Sequence, residues 1–532
     1  MSFLTALHDR IDDSMNPIVV KELRQAVQGK FITGILILFL FFQIGTLTFS
    51  MIDKAAVSNF DLGRETFIFL MAFVLVASTL AVPVYTGYRF AGERTEIESD
   101  LLFITTITPR AIIRGKFLSA MALAMLFYSA SMPFMTITYF FRGIDLFSIF
   151  ALVVFSLVAV CLNVGICIFI ACLPLNFALR VVVGLMALIP LLWVFFGSIA
   201  LTTEFLKMGI GSRIFSSAFW EDFAPGIVLI VFALGLLYVL SVAAISPAPT
   251  NRALGIRRYI TIFWVLSLGL MFDHTIRSTS ASILEIWILF ITVLLAGTIP
   301  AAVSERTCCG SRVARTIPKG ALGRRLAFLF YSGSAGGIAW AVGMTLLTQI
   351  VPHILLEITG LRALVPTGWS LERERETVLT LSMYVLGYSL LAGFIRRIFF
   401  GDRVPVAFTW IMVALVAGIG GALPPILGFV LFGSDDNVWL LGNPFLTFQS
   451  SSWRESCLSF SAIFCLVALL LNFRWLKDQW TSFIPLEEQT VQTAETGQAA
   501  EVAQASQATQ ASQIPQTSQA TQAAPDSSPL PK

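Results

Sequence analysis

The stretch LFSIFALVVFSLVAVCLNVGICIFIAC, residues 146–172, contains no charged side chain. A helix of about 20 apolar residues is long enough to cross a hydrocarbon core of roughly 30 Å. Similar runs recur along most of the 532 residues, of which 56% are hydrophobic and 13% charged, with a mean hydropathy of +0.82. The short alternating segments of a membrane β-barrel are absent. The sequence therefore predicts an all-α, polytopic helical membrane protein.

Apolar runs of this kind predict about twelve transmembrane helices. They cover residues 31–52, 67–88, 117–141, 146–172, 178–201, 223–246, 259–273, 282–303, 326–351, 377–395, 404–432 and 456–473. The seventh run is short for a bilayer. We keep it as a span, because without it the basic loop that follows residue 303 would face outward. Two six-helix halves in tandem are compatible with this layout.

Lys and Arg indicate the orientation of these spans. With the N-terminus inside, 25 of the 35 basic residues fall on the cytoplasmic side, as the positive-inside rule requires. We therefore expect both termini to be cytoplasmic and the chain to lie in the plasma membrane, which is the inner membrane in a bacterium. No cleavable signal peptide is visible, so the first span is expected to act as an uncleaved anchor.

Four regions follow from this layout. They are a cytoplasmic N-terminus with an amphipathic helix (1–30), a first six-span domain (31–246), a second six-span region (247–483) and a C-terminal tail (484–532). The tail is rich in Gln, Ala, Ser and Thr and nearly free of aromatic residues. Such a composition buries too little apolar surface to offset the loss of conformational entropy, so we predict a disordered cytoplasmic tail.

Catalytic and metal-binding patterns are absent from the sequence. The seven cysteines and three histidines lack the spacing of a zinc site, and no phosphate-binding loop or hydrolase motif occurs. Glu285 is the clearest acid within a span, near its predicted outer end, where an interfacial carboxylate is the simpler interpretation. We expect no metal, cofactor or catalytic residue in this chain, which is therefore not predicted to be an enzyme.

The N-terminal stretch NPIVVKELRQAVQGK, residues 16–30, has the pattern of a short amphipathic helix. Asn16 suits the N-cap and Pro17 the first helical position. At helical spacing, the apolar residues fall on one face of this helix: Val19, Leu23, Ala26 and Val27. The polar residues fall on the opposite face: Lys21, Arg24, Gln25 and Gln28. The pattern favours a helix in the membrane surface over a plain basic flank.

The stretch GERTEIESDLLFITTITPRAIIRGK, residues 92–116, is unusually charged for a loop between two spans. Its acids come first, where they favour a helix start, and its bases come late. Thr108 and Pro109 have the pattern of an N-cap and first helical position, so a second helix is predicted to run from there into the third span. The sequence thus predicts a structured cytoplasmic knob. A solvated loop, or one resting on lipid or neighbouring spans, is the alternative.

Both stretches resemble elements of type-2 ABC transporter permeases. The charged loop is similar to their ATPase-coupling region, and NPIVVKELRQ is similar to their interfacial elbow helix; the resemblance covers about residues 14–246. Family members usually carry Glu-x-Gly-Thr in the loop, where this chain has Glu98, Ser99 and Asp100, and the second half matches no motif. The residues carried over are, for the coupling loop, Glu93, Arg94, Glu96, Ile97, Asp100, Leu101, Leu102, Thr108, Pro109, Arg110, Gly115 and Lys116, and for the elbow helix Asn16, Pro17, Lys21, Glu22, Leu23 and Arg24.

The resemblance implies the membrane-spanning subunit of an ATP-driven exporter. Because this chain has no phosphate-binding loop, ATP would bind to a separate ABC ATPase subunit. The other partners implied are the lipid bilayer and a second permease in a homo- or heterodimer; no nucleic acid is expected. An ion-coupled secondary transporter and a non-transporting membrane scaffold are the alternatives, and the substrate is not readable from apolar spans.

Overall fold

The structure, a computed structural model, is helical throughout the part of the chain that it describes, where it contains no strand. Within this part of the chain, twelve helices are long and apolar enough to cross a membrane. The chain is thus an all-α, multi-pass membrane protein, as predicted. The described residues are 17–54, 62–93, 108–141, 143–175, 177–247, 250–278, 282–305, 310–360, 371–404, 406–433, 437–444 and 453–485. Nearly all of the predicted tail lies outside them.

The described part of the N-terminal half contains a 12-residue amphipathic helix, six long helices and one short turn of helix. They are α1 (Pro17–Gln28), α2 (Lys30–Lys54), α3 (Leu62–Glu93), α4 (Pro109–Ile137), α5 (Leu146–Cys172), α6 (Phe177–Met208), the short α7 (Ile210–Arg213) and α8 (Ser217–Ile245). Gly29 separates α1 from α2. The helix α4 begins at Thr108, whose hydroxyl accepts a hydrogen bond from the Ala111 amide at 3.3 Å. The predicted N-cap and the continuous helix into the third span are confirmed.

The C-terminal half adds six further long helices and two shorter ones. They are α9 (Arg252–Ser278), α10 (Ser282–Val303), α11 (Ser311–Ala314), α12 (Ala321–Phe330), α13 (Ser334–Ile358), α14 (Leu371–Ile395), α15 (Thr409–Phe432) and α16 (Arg454–Thr481). A π-helical turn, Arg396–Phe400, extends α14. The helices α3 and α14 are central, with 56% and 61% of their most apolar windows buried, whereas only 11% is buried in α8 and α15. The exposed apolar side chains of the outer helices are suited to contact with lipid.

Two large hydrophobic clusters form the core. One draws its buried members from residues 26–245 and the other from residues 260–468. The helices α8 and α9 connect them: the rings of Phe232 and Phe263 stack at 3.9 Å, and the Tyr259 hydroxyl donates to the Phe232 carbonyl at 3.1 Å. The division into two six-span halves stays a prediction, although each cluster lies within one of them.

Contacts between the described helix ends define two ends of the bundle. We call the end that carries α1 the α1 end. It also holds the C-terminus of α3 and the N-terminus of α6, because Arg180 donates to the Ala91 carbonyl at 3.1 Å. The opposite end holds α7, where the Gly211 amide donates to the Ser148 hydroxyl at 3.0 Å.

Two predicted spans need correction. The seventh is not short, since α9 runs for 27 residues from Arg252 to Ser278; its helix continues through the charged residues at both ends. The ninth span does not begin at residue 326, because the helix is interrupted at residues 331–333, between α12 and α13. The break is stabilised by hydrogen bonds from the Ser332 amide to Asn251 Oδ1 at 2.9 Å and from the Gly333 amide to Glu305 Oε2 at 2.7 Å.

A π-helical turn, Val76–Ala81, interrupts α3 near the middle of that helix. In a π-helical turn, backbone hydrogen bonds join residues five apart instead of four apart, so the regular α-helical hydrogen bonding is interrupted. Here the fully buried Asn163 of α5 donates to the Thr79 carbonyl at 2.7 Å, and the Ser156 and Tyr128 hydroxyls share a hydrogen bond at 2.7 Å nearby. Polar side chains thus support the turn inside the bundle.

Residues 437–444, after α15, turn back toward the middle of the bundle; we call them the re-entrant segment. The Tyr384 and Tyr388 hydroxyls of α14 donate to the Leu441 and Gly442 carbonyls. Tyr388 lies about 18 Å from the start of its span at Glu376, at 1.5 Å per helical residue. Irregular backbone at this depth needs protein or water around it, and the tyrosines supply part of that environment. The sequence did not predict this segment.

Candidate coupling site

A buried lysine joins three of the elements predicted to take part in coupling. Lys116, near the start of α4, is 3% exposed. Its Nζ contacts Glu22 Oε1 of α1 and lies 2.6 Å from Glu93 Oε2 at the end of α3. It also lies 5.2 Å from the centre of the Phe90 ring. We call Lys116, Glu22 and Glu93 the charge latch, because they tie the surface helix to both spans that flank the charged loop.

How much the charge latch contributes to the free energy of unfolding depends on how deeply it is buried. Exposed ion pairs contribute about 0–1 kcal/mol. Removing one partner of a buried pair costs about 3–5 kcal/mol, because the remaining charge is left unpaired. The side chains of Lys116, Glu22 and Glu93 are 4%, 11% and 29% exposed, so the latch belongs to the second case.

Further polar contacts surround the charge latch. The Arg89 guanidinium of α3 donates to Gln25 Oε1 of α1 at 2.6 Å and to the Tyr85 hydroxyl at 3.0 Å. Arg114 of α4 donates to the Tyr238 hydroxyl of α8 at 3.1 Å. The helices α1, α3, α4 and α8 are therefore linked at the α1 end by hydrogen bonds between side chains, in addition to their apolar packing.

The structure describes part of the predicted elbow helix. Leu23 packs against the first core cluster beside the buried Ala26, while Lys21 and Arg24 are exposed. This division agrees with the predicted apolar and polar faces, except that Glu22 turns inward to Lys116. Pro17 begins the helix as predicted. Asn16 lies outside the described residues.

Of the predicted coupling loop, the structure describes only the two ends. Arg110 is exposed at the start of α4, and Gly115 is buried one residue before Lys116. Thr108 and Pro109 open α4. The remaining predicted residues lie outside the described part of the chain: Arg94, Glu96, Ile97, Asp100, Leu101 and Leu102. Their contact with a partner stays a prediction.

A second ion-pair cluster occupies the corresponding place in the other half. Arg257, near the start of α9, is 3% exposed and pairs with Glu305 at 2.6 Å, just after α10. Its guanidinium also donates to the Leu329 and Tyr331 carbonyls before α13. In both halves a buried base thus links helix ends at the α1 end: Lys116 links α1, α3 and α4, and Arg257 links α9, the end of α10 and the segment before α13. The arrangement differs, because the base lies on the third span in the first half and on the first span in the second.

Burial raises the pKa of the Glu305 carboxyl, while the Arg257 guanidinium and the Gly333 amide oppose this shift. Glu305 also accepts the Ser334 hydroxyl at its backbone carbonyl, at 2.7 Å. Both carboxylate oxygens thus have donors, which is what a partly buried acid requires. The pair fixes the turn between α12 and α13.

The sequence did not reveal Arg257 and Glu305 as functional candidates. Neither residue belongs to a motif: Arg257 precedes the seventh apolar run, and Glu305 lies at the start of the basic loop after residue 303. Glu285 is buried near the start of α10. Among the described residues, no group of three or more His, Cys, Asp or Glu forms a possible metal site.

The chain was compared with protein-family models, with curated proteins and with solved structures. None of the three comparisons gives a match.

Proposed function

We propose that this chain is the membrane-spanning subunit of an ATP-driven exporter, similar to type-2 ABC permeases and powered by a separate ATPase. The observation that carries the proposal is the charge latch. It joins Glu22 of the elbow-like helix to Glu93 and Lys116, which begin and end the coupling-like loop. The two stretches that resemble the family in sequence are thereby in direct contact.

In this proposal the ATPase docks on residues 93–110 at the α1 end, which is cytoplasmic. Glu96 and Asp100 supply polar contacts, and Ile97, Leu101 and Ile104 supply an apolar face. Glu93 already forms an ion pair with Lys116, so in this proposal it holds the start of the loop in place and does not contact the ATPase. ATP binds to the partner, because this chain has no phosphate-binding loop.

Movement of the docked loop reaches the membrane through α4. This helix is continuous from Pro109 to Ile137, so a tilt at its exposed start moves its buried part as well. The charge latch makes α1 and the end of α3 follow. Four turns deeper, the π-helical turn of α3 is a loosened point at which the outer part of that helix can bend.

The test is purification of the full chain from its native membrane in mild detergent, followed by identification of the proteins that remain bound. The proposal expects an ATPase with a phosphate-binding loop, and ATP hydrolysis by the complex but not by the purified chain alone. Vigorous hydrolysis by the verified pure chain would contradict the division of labour. Recovery of the chain with no ATPase, under conditions that preserve other membrane complexes, would count against the proposal as well.

A further inference from the structure

Residues 310–330, which precede α13, form a basic segment without acids. It contains five bases and no Asp or Glu; we call these bases the basic patch: Arg312, Arg315, Lys319, Arg324 and Arg325. The equivalent segment of the first half, residues 92–116, contains four acids and four bases. The two segments therefore differ in the balance of acids and bases.

Contacts with the C-terminal end of α16 hold the segment in place. The Phe328 ring of α12 packs edge-on against Trp480 at 4.8 Å and against Phe483 at 5.4 Å. The Tyr331 hydroxyl donates to the Thr316 carbonyl at 2.9 Å. Phe328, Tyr331 and Phe483 also form a small apolar cluster with Ala314, Ile317 and Ala327. The helix α12 is thus fixed where the spans end, three residues before α13 begins.

The outward face of α12 combines apolar and basic side chains. Leu322 and Leu326, one helical turn apart, are 73% and 51% exposed. Arg325 lies beside them and is exposed too, as are Arg312 and Arg315. At the end of a span, an arginine beside exposed leucines can extend its charged group to the headgroups while the leucines stay in the apolar boundary. Clusters of four to eight Lys and Arg next to a span are typical of anionic-lipid binding.

We propose that the basic patch and the two leucines of α12 bind the surface of a bilayer that contains anionic lipids. Leu322 and Leu326 enter the boundary between headgroups and acyl chains, and the arginines contact lipid phosphates. Two observations favour lipid over a protein partner: the segment lies immediately beside the spans, and its exposed leucines would otherwise face water. The surface goes beyond the proposed function, because it needs neither the ATPase nor transport.

The test places a probe on the outward face of α12. A Leu322→Cys variant of the full chain, with the native cysteines replaced by serine, is labelled with an environment-sensitive dye. It is then reconstituted into vesicles of phosphatidylcholine alone or mixed with phosphatidylglycerol. We expect a blue shift of the dye emission and stronger quenching by spin-labelled lipids when the anionic lipid is present. High salt reduces both changes, because it screens the charges.

Two triple variants separate charge recognition from simple proximity to the membrane. Replacing Arg312, Arg315 and Arg325 by Gln is expected to abolish the difference between the two lipid compositions. Replacing Lys207, Arg213 and Arg277 by Gln, at the opposite end, should leave it intact. Equal quenching in both lipids, or a dye exposed to water in both, would overturn the proposal; the second result would point to a protein partner instead.

Discussion

Lys116 is the residue on which most of the interpretation depends. A lysine that is 3% exposed needs compensation for the loss of its hydration, and Glu22 and Glu93 provide it. The sequence marked all three residues through the family resemblance, but as separate members of two motifs. Their mutual contact could not be predicted, because it joins positions 94 residues apart. Helical periodicity places side chains on a face but does not say which helix that face meets.

We expect Lys116→Ala to destabilise the protein by about 3 kcal/mol, because Glu22 and Glu93 lose their buried ion-pair partner. Thermal unfolding in detergent measures this change. The control is Lys207→Ala, since the Lys207–Glu204 pair has side chains 59% and 54% exposed; it should cost about 0.5 kcal/mol or less. Equal effects of the two substitutions would show that the charge latch has no special structural weight.

Asn163 illustrates a buried polar residue whose role also emerged only from the structure. Asn163→Leu removes the donor to the Thr79 carbonyl in the π-helical turn. We expect a loss of about 1–2 kcal/mol, because a buried carbonyl loses a hydrogen bond. Hydrogen exchange of the backbone amides around residues 76–86 should become faster, while the amides of α10 should be unchanged. Unaltered exchange at the turn would indicate that Asn163 does not support it.

At the scale of the helices, apolar runs predicted the existence of all twelve spans but not their limits. The run at 326–351 concealed a break, because the residues on both sides of it are apolar. What ends α12 is a set of polar contacts with Asn251 and Glu305, which are distant in sequence. The predicted span 259–273 was too short, because we ended the apolar run at the charged Arg257. The helix continues through this residue to Arg252.

The re-entrant segment depends on close approach between glycines. A Cβ atom built on Gly442 would lie 2.4 Å from the Gly420 carbonyl oxygen of α15. We therefore expect Gly442→Ala to displace the segment and to cost about 1–3 kcal/mol, as other overpacked sites do. Thermal unfolding in detergent is the measurement. Gly418→Ala is the matched control, since its Cβ meets no atom within 4 Å; a similar loss there would argue against a specific contact at Gly442.

At the scale of the whole molecule, composition was enough to predict the fold class. Hydrophobic residues make up 56% of the chain, and the resulting runs are too long for any other interpretation. Orientation rests on the distribution of Lys and Arg, since the positions of helices alone do not distinguish the two sides of a membrane. The second half matches no motif, so the buried Arg257–Glu305 pair had no signal in the sequence.

We expect the α1 end to be cytoplasmic, because most Lys and Arg lie in its loops. Single cysteines at Thr316 and Thr359, in a chain whose native cysteines are replaced, report on the two ends; both positions are exposed. A membrane-impermeant thiol reagent applied to intact cells should label the cysteine at 359, and the one at 316 only after permeabilisation. The reverse labelling pattern would show that the α1 end faces outward, where a cytoplasmic ATPase could not dock.

The central claim is that a separate ATPase docks on the loop between α3 and α4. Its most direct test is the pair Glu96→Lys and Asp100→Lys, which changes the proposed docking surface without touching the charge latch. The matched control is Glu204→Lys with Asp273→Lys, two exposed acids at the opposite end. The measurement is the amount of ATPase that co-purifies per molecule of chain, together with ATP hydrolysis by the complex. We expect the first variant to lose both while it reaches the membrane at the normal level, and the control to keep both. A first variant that retains its ATPase and hydrolyses ATP normally would contradict the account.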